Sequence, residues 1–408
     1  MQAFVLAGGQ GERLLPLTAH RPKPALPFGG VFRIVDFTLS NCLTSDLEQV
    51  AILTQYRHEE LDSYIRQRWS EFWNVPGCDQ RLTCLPPSSG KRYRGTADAV
   101  FQNLLLVHSN GSENVLILSG DHVYRMDYRE LLAQHLATDA DVTIATVEHP
   151  VQDAAHFGVV EVDQDFRVIG FEEKPRHPRP LPARPQMALI SMGVYLFKRD
   201  VLTRSLIENC DGALGFDFGH HVIPSLIGSE RVYAYDFRDE AKDSPKYWRD
   251  IGTIDSYYQA SMDFVRPDVS LSFHQSGSRC ANEGSLSLPP ATCVSGSARV
   301  SQAVLSPGVR IEQEAYVKDS VLMPGVRIGR GARLRRVIIE EGVQIPAHFE
   351  AGWNIDRDRR NFAVSPSGVV VISETPRVRK RIVACSILVK TTAGLEHARR
   401  RESVRNIA

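Results

Sequence analysis

Residues 6 to 30 read LAGGQGERLLPLTAHRPKPALPFGG, a stretch whose residue types suit a phosphate. Gly8, Gly9 and Gly11 let the backbone approach a ligand closely, and the exposed amides of such a loop favour phosphate oxygens. Arg13 and Lys23 add two cations, enough to hold a triphosphate and offset charge on a departing pyrophosphate. The loop is not a P-loop, because no GK[ST] follows at the required spacing. Nor is it a dinucleotide fingerprint, since Leu14 stands at the third glycine position. Asp121 directly follows the apolar run VLILSG, which places its carboxylate at a strand's carboxyl end, where a turn or cap role is the plainer alternative. Glu173 and Lys174 precede Pro175 in FEEKP, a pattern that by itself reads as a solvated turn.

These residues need a scaffold. A chain of 408 residues accommodates two or three domains, and 43% hydrophobic with 24% charged residues describes an ordinary globular chain. Its 48 basic and 48 acidic residues leave no net field for nucleic acid or an anionic membrane. The start MQAFVLAGG has no basic lead or cleavage-like site, and no apolar run reaches about 18 residues, so neither membrane nor export is expected, and the reading is cytoplasmic. Seven scattered cysteines without CxxC read as reduced thiols.

Up to about residue 265, short apolar runs alternate with helical patterns. Ala3 to Leu6, Val50 to Leu53, Val115 to Ser119 and Val142 to Val147 are the predicted strands, and Asp127 with Glu130 predicts a capping box. The alternation predicts a three-layer α/β domain over 1–265, with a mixed, mostly parallel sheet. Residues 266–290, rich in Ser, Gly and Pro, predict a linker.

From 291 to 376 apolar positions recur every seventeen residues. Val294, Ile311, Ile328 and Ile345 form one column, Val300, Val317 and Leu334 a second, and Leu305, Leu322 and Ile339 a third. Gly308, Gly325 and Gly342 keep the register, as do Ala298, Ala315 and Ala332. Inward aliphatics every five or six residues with glycine at corners suit a three-sided solenoid, whose turns bury their apolar faces only against each other. The pattern resembles the short left-handed parallel β-helix of hexapeptide-repeat proteins. The remaining residues, 377–408, carry nine basic and two acidic side chains and read as a solvated basic tail.

LAGGxGxRL followed by KP resembles the signature of sugar nucleotidylyltransferases. FRIVDFTLSNC, TQYRHEELDSYI, YRGTADAV, LSGDHVYRMDY, HFGVVEVD, FEEKP, SMGVYLF, DFG and YWRDIGT follow in the order found in bacterial ADP-glucose pyrophosphorylases, over residues 3 to about 265. The resemblance implies adenylyl transfer from ATP to α-D-glucose 1-phosphate, releasing pyrophosphate, for glycogen synthesis. It implies Mg²⁺ held by Asp121 and Asp250, with Arg13, Lys23, Asp121 and Lys174 as the catalytic set. On the nucleotide side it places Leu6, Ala7, Gly8, Gly9, Gly11, Tyr93, Gly95 and Asp98. On the sugar-phosphate side it places Lys174, Glu173, Ser191, Tyr195 and Asp217, with Trp248 supporting the Asp250 loop. A homotetramer is the family habit. Such a reaction presses two anions together, so positive charge and positioning supply most of the catalysis.

Departures concern control more than chemistry. Gln10 stands where members usually carry Arg, His20 where allosteric members carry Lys, and PPSSGKR replaces a longer loop with a QQR element. His220 follows DFG in place of Lys. A neutral-pH His carries only partial charge, so weak control by anionic effectors is expected. The same chemistry with dTTP, UTP or glucosamine 1-phosphate is the alternative, and a non-catalytic regulatory subunit a further one. All five charged residues are present, which disfavours the latter. An acyltransferase role for the β-helix is disfavoured by its few turns.

Overall fold

The computed structural model describes residues 1–73, 81–88, 91–109, 111–212, 215–239, 241–265 and 289–373. Most of the expected linker and the whole basic tail lie outside the described residues. The chain forms two compact units. One comprises Met1–Gln10, Arg21–Ala25 and Ile34–Asp250, and the other Gly11–His20, Leu26–Arg33 and the chain from Ile251 onward.

The first unit is built on a nine-stranded mixed sheet. Strand Gln2–Ala7 lies parallel between Gln49–Thr54 and Asn114–Ser119, and Arg81–Leu85 extends the parallel part. The long strand Met187–Lys198 then runs antiparallel to Asn114–Ser119 and to Val142–Pro150. Its register shifts between Ser191 and Tyr195, a bulge that matters below. Val232–Asp236 returns parallel to Val142–Pro150, and the hairpin Gly158–Val162 with Val168–Glu173 completes the sheet.

The central strands are continuous apolar runs because both sides are covered. Ala3, Val5, Ile52 and Leu118 enter the core beneath helices Val35–Thr44, His58–Arg68 and Tyr128–Ala137. Phe4, Leu53 and Ile117 point the other way, against Thr96–Phe101 and Arg199–Leu206. Alternation along a strand thus feeds two cores, giving three layers. The predicted cap on Tyr128–Ala137 forms only in half. Asp127 accepts the Arg129 amide, but Glu130 turns away to the Tyr235 hydroxyl at 2.9 Å and Lys246 Nζ at 3.2 Å.

In the second unit the seventeen-residue columns become parallel ladders. Val294 pairs with Ile311, Ile311 with Ile328 and Ile328 with Ile345. Val300, Val317 and Leu334 form the second ladder, and Leu305, Leu322 and Ile339 the third. Gly308, Gly325 and Gly342 turn corners at φ of 74°, 70° and 75°, the left-handed region where a side chain would be strained. The spacing breaks at the last turn, where Ile339 pairs with Ile372 after an inserted helix Ile355–Arg359.

Helix Ile254–Asp263 belongs to this unit, and a reciprocal Thr253–Ser256 capping box opens it. Its Asp255 accepts hydrogen bonds from the hydroxyls of Ser365 and Ser367, and its Tyr258 hydroxyl donates to the Asp319 carbonyl at 2.7 Å. The helix is thereby fastened to the solenoid.

Candidate active site

At the carboxyl end of Asn114–Ser119 the Gly120 amide donates to the Leu6 carbonyl at 3.0 Å, which fixes the point where Asp121 leaves the sheet. His122–Tyr124 then pairs antiparallel with Trp248–Asp250, setting Asp250 opposite His122. This two-stranded ribbon brings together two acids separated by most of the unit's sequence. Lys23, in the short helix Lys23–Ala25, closes the cluster: its Nζ lies 2.8 Å from Asp121 Oδ2 and 3.0 Å from Asp250 Oδ1.

Burial works against both charges, and each partner rescues the other. Desolvation would raise the Asp121 carboxyl, but Lys23 and then His122 bring it down to about 2. Desolvation would lower the Lys23 ammonium, yet the two carboxylates hold it above its ordinary value. Asp121 and Lys23 therefore stay charged across the neutral range.

The trio Asp121, His122 and Asp250 offers ligand atoms that all lie within 4.8 Å of one another. Two carboxylates suit a hard divalent cation such as Mg²⁺, so these residues fit the expected metal. The sequence reading missed His122 as part of this set, although it adjoins Asp121.

A second group gathers near Glu173, which ends strand Val168–Glu173. Lys174 follows in left-handed geometry at φ 52°, and its Nζ lies 2.9 Å from Glu173 Oε1. A methyl on Gly219 would approach Glu173 Oε2 to 2.6 Å, so the carboxylate is seated on that glycine. Asp217 caps the following turn by accepting the Gly219 amide at 3.0 Å and the His220 amide at 3.1 Å, and also takes the Thr96 hydroxyl at 2.9 Å. Burial would raise its carboxyl, but the His220 amide and Thr96 hydroxyl hold it below the usual range. In the bulge the Ser191 hydroxyl donates to the Tyr195 hydroxyl at 3.2 Å, and burial pushes the Tyr195 phenol up.

On the expected nucleotide side the Tyr93 amide donates to Gln55 Oε1 at 2.6 Å, while the Tyr93 hydroxyl donates to the Leu85 carbonyl at 3.0 Å. Gln55, just past strand Gln49–Thr54, also abuts Gly8, where a Cβ would lie 3.1 Å from Gln55 Cβ. Gln55 is thus a second residue the sequence reading passed over. Gly95 is required because any side chain there would run into the Phe216 carbonyl. Gly9 is open, with no atom within 4 Å of a Cβ built on it, whereas Ala7 is buried in the sheet.

Asp98 takes a different place from its expected one. It is fully buried, and its carboxylate accepts the Arg94 amide at 2.8 Å, the Arg94 guanidinium at 2.6 Å and Gln102 Nε2 at 2.7 Å. With its oxygens so occupied, Asp98 shapes the YRGTADAV segment from beneath. Gly11 and the exposed Arg13 fall in the second unit.

The unit built on the sheet holds a carboxylate pair with an ammonium and a separate Glu–Lys pair, groups that suit a reaction between two phosphates. A family model described as nucleotidyl transferase matches residues 2–266. The chain belongs to the nucleotidyl transferase family. In this nucleotidyl transferase a second model, a GlmU-like C-terminal hexapeptide, matches residues 270–372, in keeping with the left-handed β-helix read from the repeat. The enzyme is 44% identical to glucose-1-phosphate adenylyltransferase 2 of Vibrio vulnificus (strain YJ016), over 91% of this chain and 98% of that protein. It is 40% identical to glucose-1-phosphate adenylyltransferase 2 of Vibrio cholerae, covering 91% and 97%. It is also 40% identical to glucose-1-phosphate adenylyltransferase of Nitrosomonas europaea, covering 91% and 92%. No helix among the described residues is long and apolar enough to cross a membrane.

Proposed function

We propose that this nucleotidyl transferase moves the adenylyl group of ATP onto α-D-glucose 1-phosphate, giving ADP-glucose and pyrophosphate for glycogen (α-glucan) synthesis in the cytoplasm. The observation that carries this reading is Lys23 bridging Asp121 and Asp250 at the carboxyl edge of the sheet. When bound, Mg²⁺ supplies charge that lets two phosphates meet, and Asp121 and Asp250 would hold it. Lys23 brings an ammonium to the same spot, fit to neutralise oxygens of the triphosphate. The backbone amides at Gly8 and Gly9 suit phosphate oxygens. Tyr93 and Gly95 border the nucleotide.

Lys174 binds the sugar phosphate. Glu173 accepts bonds from sugar hydroxyls, and Asp217 stands near it on the same side with Ser191 and Tyr195. A homotetramer is proposed from the likeness to glucose-1-phosphate adenylyltransferases. Pyrophosphate release measured with ATP, dTTP, UTP and GTP against glucose 1-phosphate and glucosamine 1-phosphate tests the reading. The highest kcat/KM is expected for ATP with glucose 1-phosphate, and a preference for UTP or dTTP would overturn it.

Control by effectors is expected to be weak, because Gln10 and His20 remove two positive charges that anionic effectors would meet. Initial rates with fructose 1,6-bisphosphate, pyruvate or AMP should change by less than the roughly fivefold of ordinary allosteric coupling. A large activation by fructose 1,6-bisphosphate would count against this.

A further inference from the structure

The imidazole of His122 is held with one nitrogen committed. Its Nδ1 lies 2.9 Å from the Met192 carbonyl, made available by the bulge between Ser191 and Tyr195. A carbonyl oxygen only accepts, so Nδ1 donates there, and the ring's other nitrogen, Nε2, is turned toward the two acids. That Nε2 lies 3.6 Å from Asp121 Oδ1 and 3.6 Å from Asp250 Oδ1. The ring cannot easily turn away. Its edge meets Trp248 at 5.2 Å between centroids, and Trp248 is packed in turn by Phe157 at 5.4 Å.

Imidazole nitrogen anchored through its other N–H to a backbone carbonyl is the usual arrangement of a metal-ligating histidine. We propose that His122, through Nε2, is the third protein ligand of the divalent cation held by Asp121 and Asp250. This deepens the nucleotidyl-transfer reading and rests on it. The consequence is one of selectivity. Carboxylates alone suit Mg²⁺, whereas an added imidazole shifts preference toward Mn²⁺ and Co²⁺.

Electron spin-echo envelope modulation of Mn²⁺ added to the full chain, without nucleotide, tests this directly. Bound Mn²⁺ is expected to show nitrogen modulation that changes from the ¹⁴N to the ¹⁵N pattern when the protein carries ¹⁵N-histidine. His122→Gln should remove the modulation and weaken Mn²⁺ binding by about tenfold, with a smaller loss for Mg²⁺ measured by competition. Mn²⁺ that binds in the wild type, is lost in Asp250→Asn and shows no histidine coupling would overturn the His122 proposal while leaving the carboxylate site standing. Mn²⁺ that ignores Asp250→Asn, or does not bind, would overturn both. The labelled wild type decides the matter even where His122→Gln fails to fold.

Discussion

Asp121→Ala is expected to slow pyrophosphate release by about a thousandfold or more, the loss typical of removing one preorganised electrostatic partner of a transition state. The fold should survive, because the backbone at this point is held by the Gly120 amide on Leu6 and by the ribbon His122–Tyr124 with Trp248–Asp250. The Asp121 carboxylate lies beside Lys23 and His122, and it is partly open to solvent. Lys23 keeps Asp250 as a partner after the substitution. The loss should fall on kcat, with the apparent KM for glucose 1-phosphate little changed, since Glu173 and Lys174 form a separate group. A melting curve alongside the kinetics separates the two roles. A kcat within tenfold of wild type would remove Asp121 from the chemistry, and a collapse of the melting temperature would make it a folding residue.

The parts of this molecule that were legible in advance are those where local pattern and burial say the same thing. The solenoid was readable because each inward aliphatic must stack on its counterpart seventeen residues on, and the ladders from Val294 to Ile345 keep that spacing. The break at Ile339 and Ile372 was not readable, because an inserted helix leaves no periodic trace. Asp121 could be singled out from the apolar strand before it. Asp250 could not be joined to it by any local rule, since tertiary contacts join them, the pairing of His122 with Asp250 and the Lys23 bridge, and the resemblance had to supply the link. His122 depends on a bulge in a third strand, so its role lay beyond a reading of its own neighbourhood.

Asp98 shows the opposite case. Arg94 precedes the extended Gly95 that opens helix Thr96–Phe101, and the turn into the helix lays its guanidinium on the fully buried Asp98 carboxylate. The reciprocal cap of Thr253 and Ser256 carried no signal in the sequence, since a serine stands where a capping box usually has Glu or Gln. Glu130 matched the pattern of a capping box and yet bonds Tyr235 and Lys246, because tertiary partners outcompeted the local amide.

Lys23→Met should fail in a different manner from Asp121→Ala, losing both turnover and stability. Lys23 is buried between two carboxylates, and methionine fills its volume without its charge. Two acids are then left facing each other in a partly solvated place, a loss smaller than the roughly 3–5 kcal/mol of breaking a fully buried pair from one side. The melting temperature should fall by several degrees, and turnover by about a thousandfold or more. Acidity gives the check. Burial tends to raise the Asp121 carboxyl, and Lys23 is the foremost group bringing it down to about 2. A depressed carboxyl stabilises the fold above its unfolded value of about 3.9, and that contribution is lost as pH falls toward 2. The stability gap between wild type and Lys23→Met should therefore be widest near neutrality and shrink below about pH 4. Added Mn²⁺ should raise the melting temperature of Lys23→Met more than that of wild type, because a divalent ion supplies the missing charge between the same two acids. A gap that stays constant from pH 7 to pH 2, with no differential response to Mn²⁺, would mean that the lysine contributes packing and not charge.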